Sequence, residues 1–164
     1  MVTIFLENKL FKSFKASEVD LLVIAGEASG DEHAANLVRK ILKRFPTMNI
    51  AVVGGKNLEV SGAHFLFDLV EHAVVGIFEV LKNYGFFKKL FSHTLRWITE
   101  HEPKAILLID YPGFNLRLAD ALRKEGLSNK GGGGIKVIQY VSPQLWAWKP
   151  KRRFKMAKVL DALA

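Results

Sequence analysis

Short apolar runs alternate with longer stretches of helical period along most of this chain, and that alternation constrains the fold more than any other feature. Leu21-Leu22-Val23-Ile24-Ala25 carries no polar residue, as a strand buried on both faces of a parallel sheet does. Residues 31–45 then put Ala35, Leu37, Val38, Ile41 and Leu42 on one helical side, and Pro46 stops that helix. The same reading predicts strands over 50–53, 64–67, 105–109 and 135–141. It predicts helices over 76–81, 86–101 and 114–124, another beginning over 151–156, and a short segment at 56–60. Val159-Leu160 reads as the start of a further strand. Such strand–helix alternation implies right-handed crossovers and an α/β doubly wound parallel sheet with helices on both faces. Residues 1–18, with Phe5, Leu6, Leu10, Phe11 and Phe14 among lysines, read as an amphipathic leader, and residues 19–164 as one domain.

Composition narrows the class. In 164 residues, 49% are apolar and 24% charged, which fits a globular domain and argues against global disorder. The absence of cysteine excludes a disulfide scaffold, a thiol nucleophile and thiolate metal ligation. The longest charge-free stretch, 137–148, is twelve residues and contains Ser142-Pro143, so no transmembrane helix is expected. Ile4-Phe5-Leu6 is followed at once by Glu7 and Lys9, which is not a clean signal peptide, and a cytoplasmic location is expected. The formal net charge of +8 suggests an anionic partner: nucleic acid, a phosphorylated substrate or an anionic membrane surface. Histidines 33, 64, 72, 93 and 101 show no metal-ligand spacing, and no hydrolase nucleophile motif is present.

In parallel sheets, ligands collect where strands end, so the residues after each strand carry the most weight. Gly26-Glu27-Ala28-Ser29-Gly30-Asp31 follows the first strand. Its glycines permit close approach, and Ser29 or Asp31 can cap the next helix, whose amides favour an anion. A plain capped turn and a ligand site are equally good readings of the spacing. Glu27 would repel a phosphate, so a sugar hydroxyl or a neighbouring side chain suits it better. Asp110-Tyr111-Pro112-Gly113-Phe114-Asn115 follows the fourth strand. A carboxylate at such a rim, partly desolvated, is placed to take a proton; a structural turn aspartate is the competing reading. After the fifth strand, Pro143 forces Ser142 to be extended, and Trp146 and Trp148 share one loop, where at least one should anchor to the core. The basic run 149–155 suits a solvated helix face or a phosphate. Over 86–101 the core stripe is Phe87, Leu90 or Phe91, Thr94 and Ile98. Phe86 and Trp97 fall off it near Lys89 and His93. That second face fits an interfacial membrane helix or a helix buried on two sides.

Taken together, these loops resemble the N-terminal half of the lipid-A-disaccharide synthase family, glycosyltransferases of GT-B type. The resemblance rests on 23–31 (Val-Ile-Ala-Gly-Glu-Ala-Ser-Gly-Asp), Val53-Gly54-Gly55, Val74-Val75-Gly76 with Glu79-Val80-Leu81, 109–115 (Ile-Asp-Tyr-Pro-Gly-Phe-Asn) and 140–148 (Tyr-Val-Ser-Pro-Gln-Leu-Trp-Ala-Trp). It covers about residues 20–164. It implies a Rossmann-like acceptor-side domain and transfer of diacylglucosamine from a UDP donor to an acylated glucosamine 1-phosphate acceptor. The linkage formed is β-1,6, with inversion, and no metal or other cofactor is implied. The resemblance makes Asp110 the expected general base and Glu27 a second residue important for activity. Substrate contacts are expected from Gly26, Ser29, Gly30, Asn115, Ser142 and Trp146. A peripheral position on the inner membrane follows from acylated substrates, and Phe86, Trp97 and the basic balance fit it. Where the family motif carries a second acidic residue, this chain has Gly113, and 128–134 reads as a flexible glycine-rich insertion. The GT-B donor domain is not in this sequence, so the chain alone is expected to be inactive. Competing readings are a membrane-associated domain that only holds an acylated sugar phosphate, and a basic nucleic-acid-binding module, for which no recognition signature is present.

Overall fold

The structure is a computed structural model and describes residues 10–16, 18–78, 84–141 and 152–164. Six parallel strands form one sheet: β1 (Leu21–Ala25), β2 (Ile50–Gly54), β3 (His64–Asp68), β4 (Ala105–Ile109), β5 (Lys136–Tyr140) and β6 (Ala162–Leu163), in the order β3-β2-β1-β4-β5-β6. Helices α1 (Ala28–Arg44), α2 (Lys56–Glu59), α3 (Leu69–Phe78), α4 (Tyr84–His101), α5 (Pro112–Lys124) and α6 (Arg152–Val159) connect them.

Strand addition reverses direction at β1. With one hand of crossover, that reversal sends the helices of the two halves to opposite faces. The core divides accordingly. Leu21, Val23, Ile50, Val52, Leu107 and Ile109 point to the face covered by Ala34, Ala35 and Val38 of α1 and Leu58 of α2. Leu22, Ile24, Ala51, Val53, Ile106 and Leu108 point to the other face, with Leu90 and Ile98 of α4, Leu118 and Leu122 of α5, and Met156 and Val159 of α6. Both faces are dry, which is why β1 and β2 read as unbroken apolar runs. Each fully buried Leu, Ile or Val contributes roughly 1.5–3 kcal/mol by leaving water.

The packing bears on several of these expectations. Residues 10–16 run over α4 and the β3 edge. The Lys12 amide donates to the Leu66 carbonyl at 2.9 Å, Phe11 is buried, and Phe14 meets the Trp97 ring edge-on at 5.8 Å. Trp97 is thereby covered, 7% exposed, and stacked on His101 at 4.2 Å. It is a core residue on a helix buried on two sides, not part of a membrane-facing set. Phe86 is half-buried against His72. The glycine-rich stretch 131–134 is not a free loop. A single 3-10 turn, Asn129–Gly131, leads into it, and the Gly131 and Gly133 amides both donate to the Ser128 carbonyl, at 2.8 and 2.9 Å. A side chain at Gly131 would collide with the Arg123 carbonyl. The strand foreseen at Val159-Leu160 begins at Ala162, because α6 runs on to Val159.

Candidate functional site at the strand-order reversal

The order reverses between β1 and β4, whose Ala25 and Ile109 are the last paired residues. The turns leaving these two strands, 26–27 and 110–111, therefore share one crevice at the carboxyl ends of the strands.

Helix α1 begins one turn sooner than its sequence pattern suggests, at Ala28. Glu27 occupies the N-cap position in extended geometry (φ −130°, ψ 152°), and its carboxylate makes no capping hydrogen bond. It is exposed, as is Ser29. The capping role expected of Ser29 or Asp31 does not exist, since both lie inside the helix. Asp31 is 2% exposed and instead caps α2: its Oδ1 accepts from the Gly55 amide at 2.7 Å and the Leu58 amide at 3.2 Å, its Oδ2 from the Asn57 amide at 2.9 Å. The buried carboxylate thus ties the first turn of α1 to the loop after β2.

The β4–α5 turn is unusual in its backbone. Asp110 and Tyr111 both sit in the left-handed region, each at φ 48°. Non-glycine residues there cost about 1–3 kcal/mol each and persist only where surroundings enforce them, which is commonest at functional sites. Here Asn115 enforces the turn. Its side chain, fully buried, donates from Nδ2 to the carbonyls of Ile109 and Asp110. That geometry makes Asn115 a positioning residue for the turn. Pro112 opens α5 with its φ already set.

Close packing of the two turns explains both glycines. A β-carbon on Gly30 would lie 2.9 Å from Asp110 Oδ2, and one on Gly26 would fall 2.5 Å from the Tyr111 ring. Gly26 and Gly30 are both buried, and each admits a side chain of the opposite turn where a Cβ would stand. Asp110 lies half-buried in the crevice beside the start of α1. Tyr111 is half-buried beside Asp110 at the same turn. Its phenol is held above the ordinary tyrosine range, first by burial and then by the Glu27 carboxylate, so it stays protonated as a donor. The only sequence signal for it was its position between Asp110 and Pro112.

After β5, Val141 takes φ 69°, an outlier for a β-branched residue. Ser142 and Trp146, with Trp148 and the start of the basic run, lie outside the described residues. Among the described residues, Glu27, Gly26, Gly30 and Asp110 lie on the two facing turns, with Ser29 in the adjoining helical turn. No helix among the described residues is long and apolar enough to cross a membrane.

Comparison with known proteins bears on this geometry. The family model described as lipid-A-disaccharide synthetase matches residues 21–164. Lipid-A-disaccharide synthase 1 of Legionella pneumophila (strain Philadelphia 1) is 39% identical over 144 residues, 88% of this chain and 36% of that protein. The lipid-A-disaccharide synthase of Geobacter metallireducens is 38% identical over 144 residues, 88% of this chain and 35% of its own. That of Coxiella burnetii is 35% identical over 148 residues, 90% and 37%. The chain therefore spans about 36% of the length of the Legionella relative it matches. The matched segment contains the whole sheet and both turns of the crevice, and the chain belongs to the lipid-A-disaccharide synthetase family.

Proposed function

We propose that this chain is the N-terminal, acceptor-side part of an inverting glycosyltransferase that joins two acylated glucosamines into the lipid A disaccharide. In this reading the acceptor is an acylated glucosamine 1-phosphate and the donor is UDP-diacylglucosamine. The acceptor's hydroxyl oxygen forms a bond to the donor's anomeric carbon, and the bond from that carbon to the UDP oxygen breaks. UDP leaves with the electron pair, and the hydroxyl proton passes to the Asp110 carboxylate. Most of the UDP contact belongs to sequence beyond this segment, in the greater length of the relatives.

The single observation that carries the reading is Asp110: a carboxylate in a left-handed turn, seated against Gly30 in the crevice where strand order reverses. A base must be held within reach of the proton it takes, and backbone strain enforced by buried Asn115 is how this fold holds it. Glu27, uncommitted to capping and electrostatically coupled to the Tyr111 phenol, orients that donor and the sugar hydroxyls beside it. Ser29 and the loop containing Ser142 and Trp146 complete the substrate contacts in this proposal. Acylated substrates call for a peripheral position on the inner membrane, cytoplasmic side. The +8 charge supports attraction to its anionic lipids. Family membership does not favour the nucleic-acid reading.

The test uses the protein carried on a chain of the relatives' full length. Asp110→Asn should lower kcat by about 10²–10⁴-fold with little change in the acceptor KM. A raised KM at unchanged kcat would make Asp110 a binding residue and pass the base role to Glu27.

A further inference from the structure

Beside the Asp110–Tyr111 turn, between α4 and α5, lies a cavity of about 460 Å³ that the chemistry above does not use. Its wall is aromatic: Phe87 and Phe91 of α4, Tyr111 of the turn and Phe114 of α5. The rings brace one another, Phe91 edge-on to Phe114 at 5.7 Å and Tyr111 stacked on Phe114 at 6.1 Å. Two exposed cations, Lys88 and Arg117, border it. Neither is in an ion pair with a described residue, and no carboxylate among the described residues lines the cavity. Gly113 also borders it, and a β-carbon there would meet nothing within 4 Å.

We propose that this cavity takes one acyl chain of the acylated sugar phosphate, with Lys88 and Arg117 receiving the phosphate. The proposal rests on the functional reading above for the ligand's identity. Three observations favour this occupant. The volume and apolar lining are those of a small-molecule pocket, concave where a bilayer surface needs a projecting face. Two cations with no ion-pair partner among the described residues, set at an otherwise apolar wall, complement an anion that carries an acyl tail. Tyr111 belongs both to this wall and, across Gly26, to the crevice, so a tail held here leaves its sugar at the end of β4, beside Asp110.

Calorimetry on the 164-residue chain tests this with octyl, decyl and dodecyl phosphate below their micelle concentrations. Affinity should rise about fourfold per methylene until the cavity is filled. Gly113→Phe, which fills the mouth without a backbone clash, should weaken decyl phosphate at least tenfold, and Gly113→Leu should do so in smaller measure. A melting curve confirms that each variant is folded. Lys88→Gln and Arg117→Gln should each weaken it about tenfold while leaving neutral decyl maltoside unchanged. Affinity blind to chain length, or equal in Gly113→Phe, overturns the proposal. So does parallel loss of phosphatidylglycerol-vesicle binding in Gly113→Phe, which would mark a membrane surface instead. Transfer that survives Asp110→Asn, with chain-length-dependent binding still blocked by Gly113→Phe, defeats the catalytic reading and leaves the cavity standing. Transfer lost in Asp110→Asn, with binding indifferent to Gly113→Phe, defeats the cavity alone.

Discussion

Asp31 is a surface-charge residue type buried in a structural role, and its removal should cost this fold heavily. It is 2% exposed, and its two oxygens accept three amides at the start of α2. Asp31→Ala leaves those donors without an acceptor. The Gly55 and Leu58 amides are buried, and each unmade bond costs about 1–3 kcal/mol. The Asn57 amide is only part-buried, so water recovers most of its bond. Partial hydration of the space vacated by the carboxylate brings the first two to the low end of that range. The sum is about 2–3 kcal/mol, at or above the roughly 0.5–2 kcal/mol of an ordinary lost N-cap. Asp31→Asn keeps an oxygen for Gly55 and Leu58 but turns an amide donor toward the Asn57 N–H, for about 1 kcal/mol. Urea denaturation should therefore rank wild type above Asn above Ala, at an unchanged slope. Thermal midpoints should fall by roughly 5–10 °C for Ala. An alanine variant within about 0.5 kcal/mol of wild type, or an asparagine variant as unstable as alanine, would refute the hydrogen-bond argument.

Three further outcomes follow from the same geometry. Gly26→Ala places a methyl inside the Tyr111 ring, so it should cost about 1–3 kcal/mol. By expelling the ring it should lower the Tyr111 ionisation toward the ordinary range in an ultraviolet titration. Phe11→Ala opens the cover over Trp97 and should cost about 3–4 kcal/mol in urea. Asp20 has its pKa lowered by its hydrogen bonds, from Lys104 at 2.7 Å and then from the Asn49 amide. A carboxylate depressed on folding adds stability above its unfolded pKa, and that stability is lost as pH falls through the lowered folded value. Because Lys104 is 65% exposed, solvent screens the pair and its contribution is small. Asp20→Asn should remove that small contribution at neutral pH and flatten the acid limb of a stability–pH curve below the ordinary aspartate range.

The strands and helices were legible because their causes are local. β1 and β2 are apolar throughout because both sheet faces are covered, and α4 carries Leu90, Thr94 and Ile98 on one stripe because that stripe faces the sheet. Position after a strand was enough to single out Glu27 and Asp110, since a parallel sheet puts every such turn at the same end. What tertiary structure alone decided are relations between distant residues. Strand order makes the turns after β1 and β4 neighbours, and nothing in either turn encodes that. Asp31 looked like a cap for its own helix because capping is a local habit, yet its partners lie 24 to 27 positions further on. A helical wheel shows one helix at a time and so leaves Trp97 open between an interfacial face and a helix buried on two sides; the segment carrying Phe11 and Phe14 covers it from more than 80 positions away. The aromatic cavity is drawn from α4, the β4–α5 turn and α5, and it exists only once strand pairing has set those elements side by side.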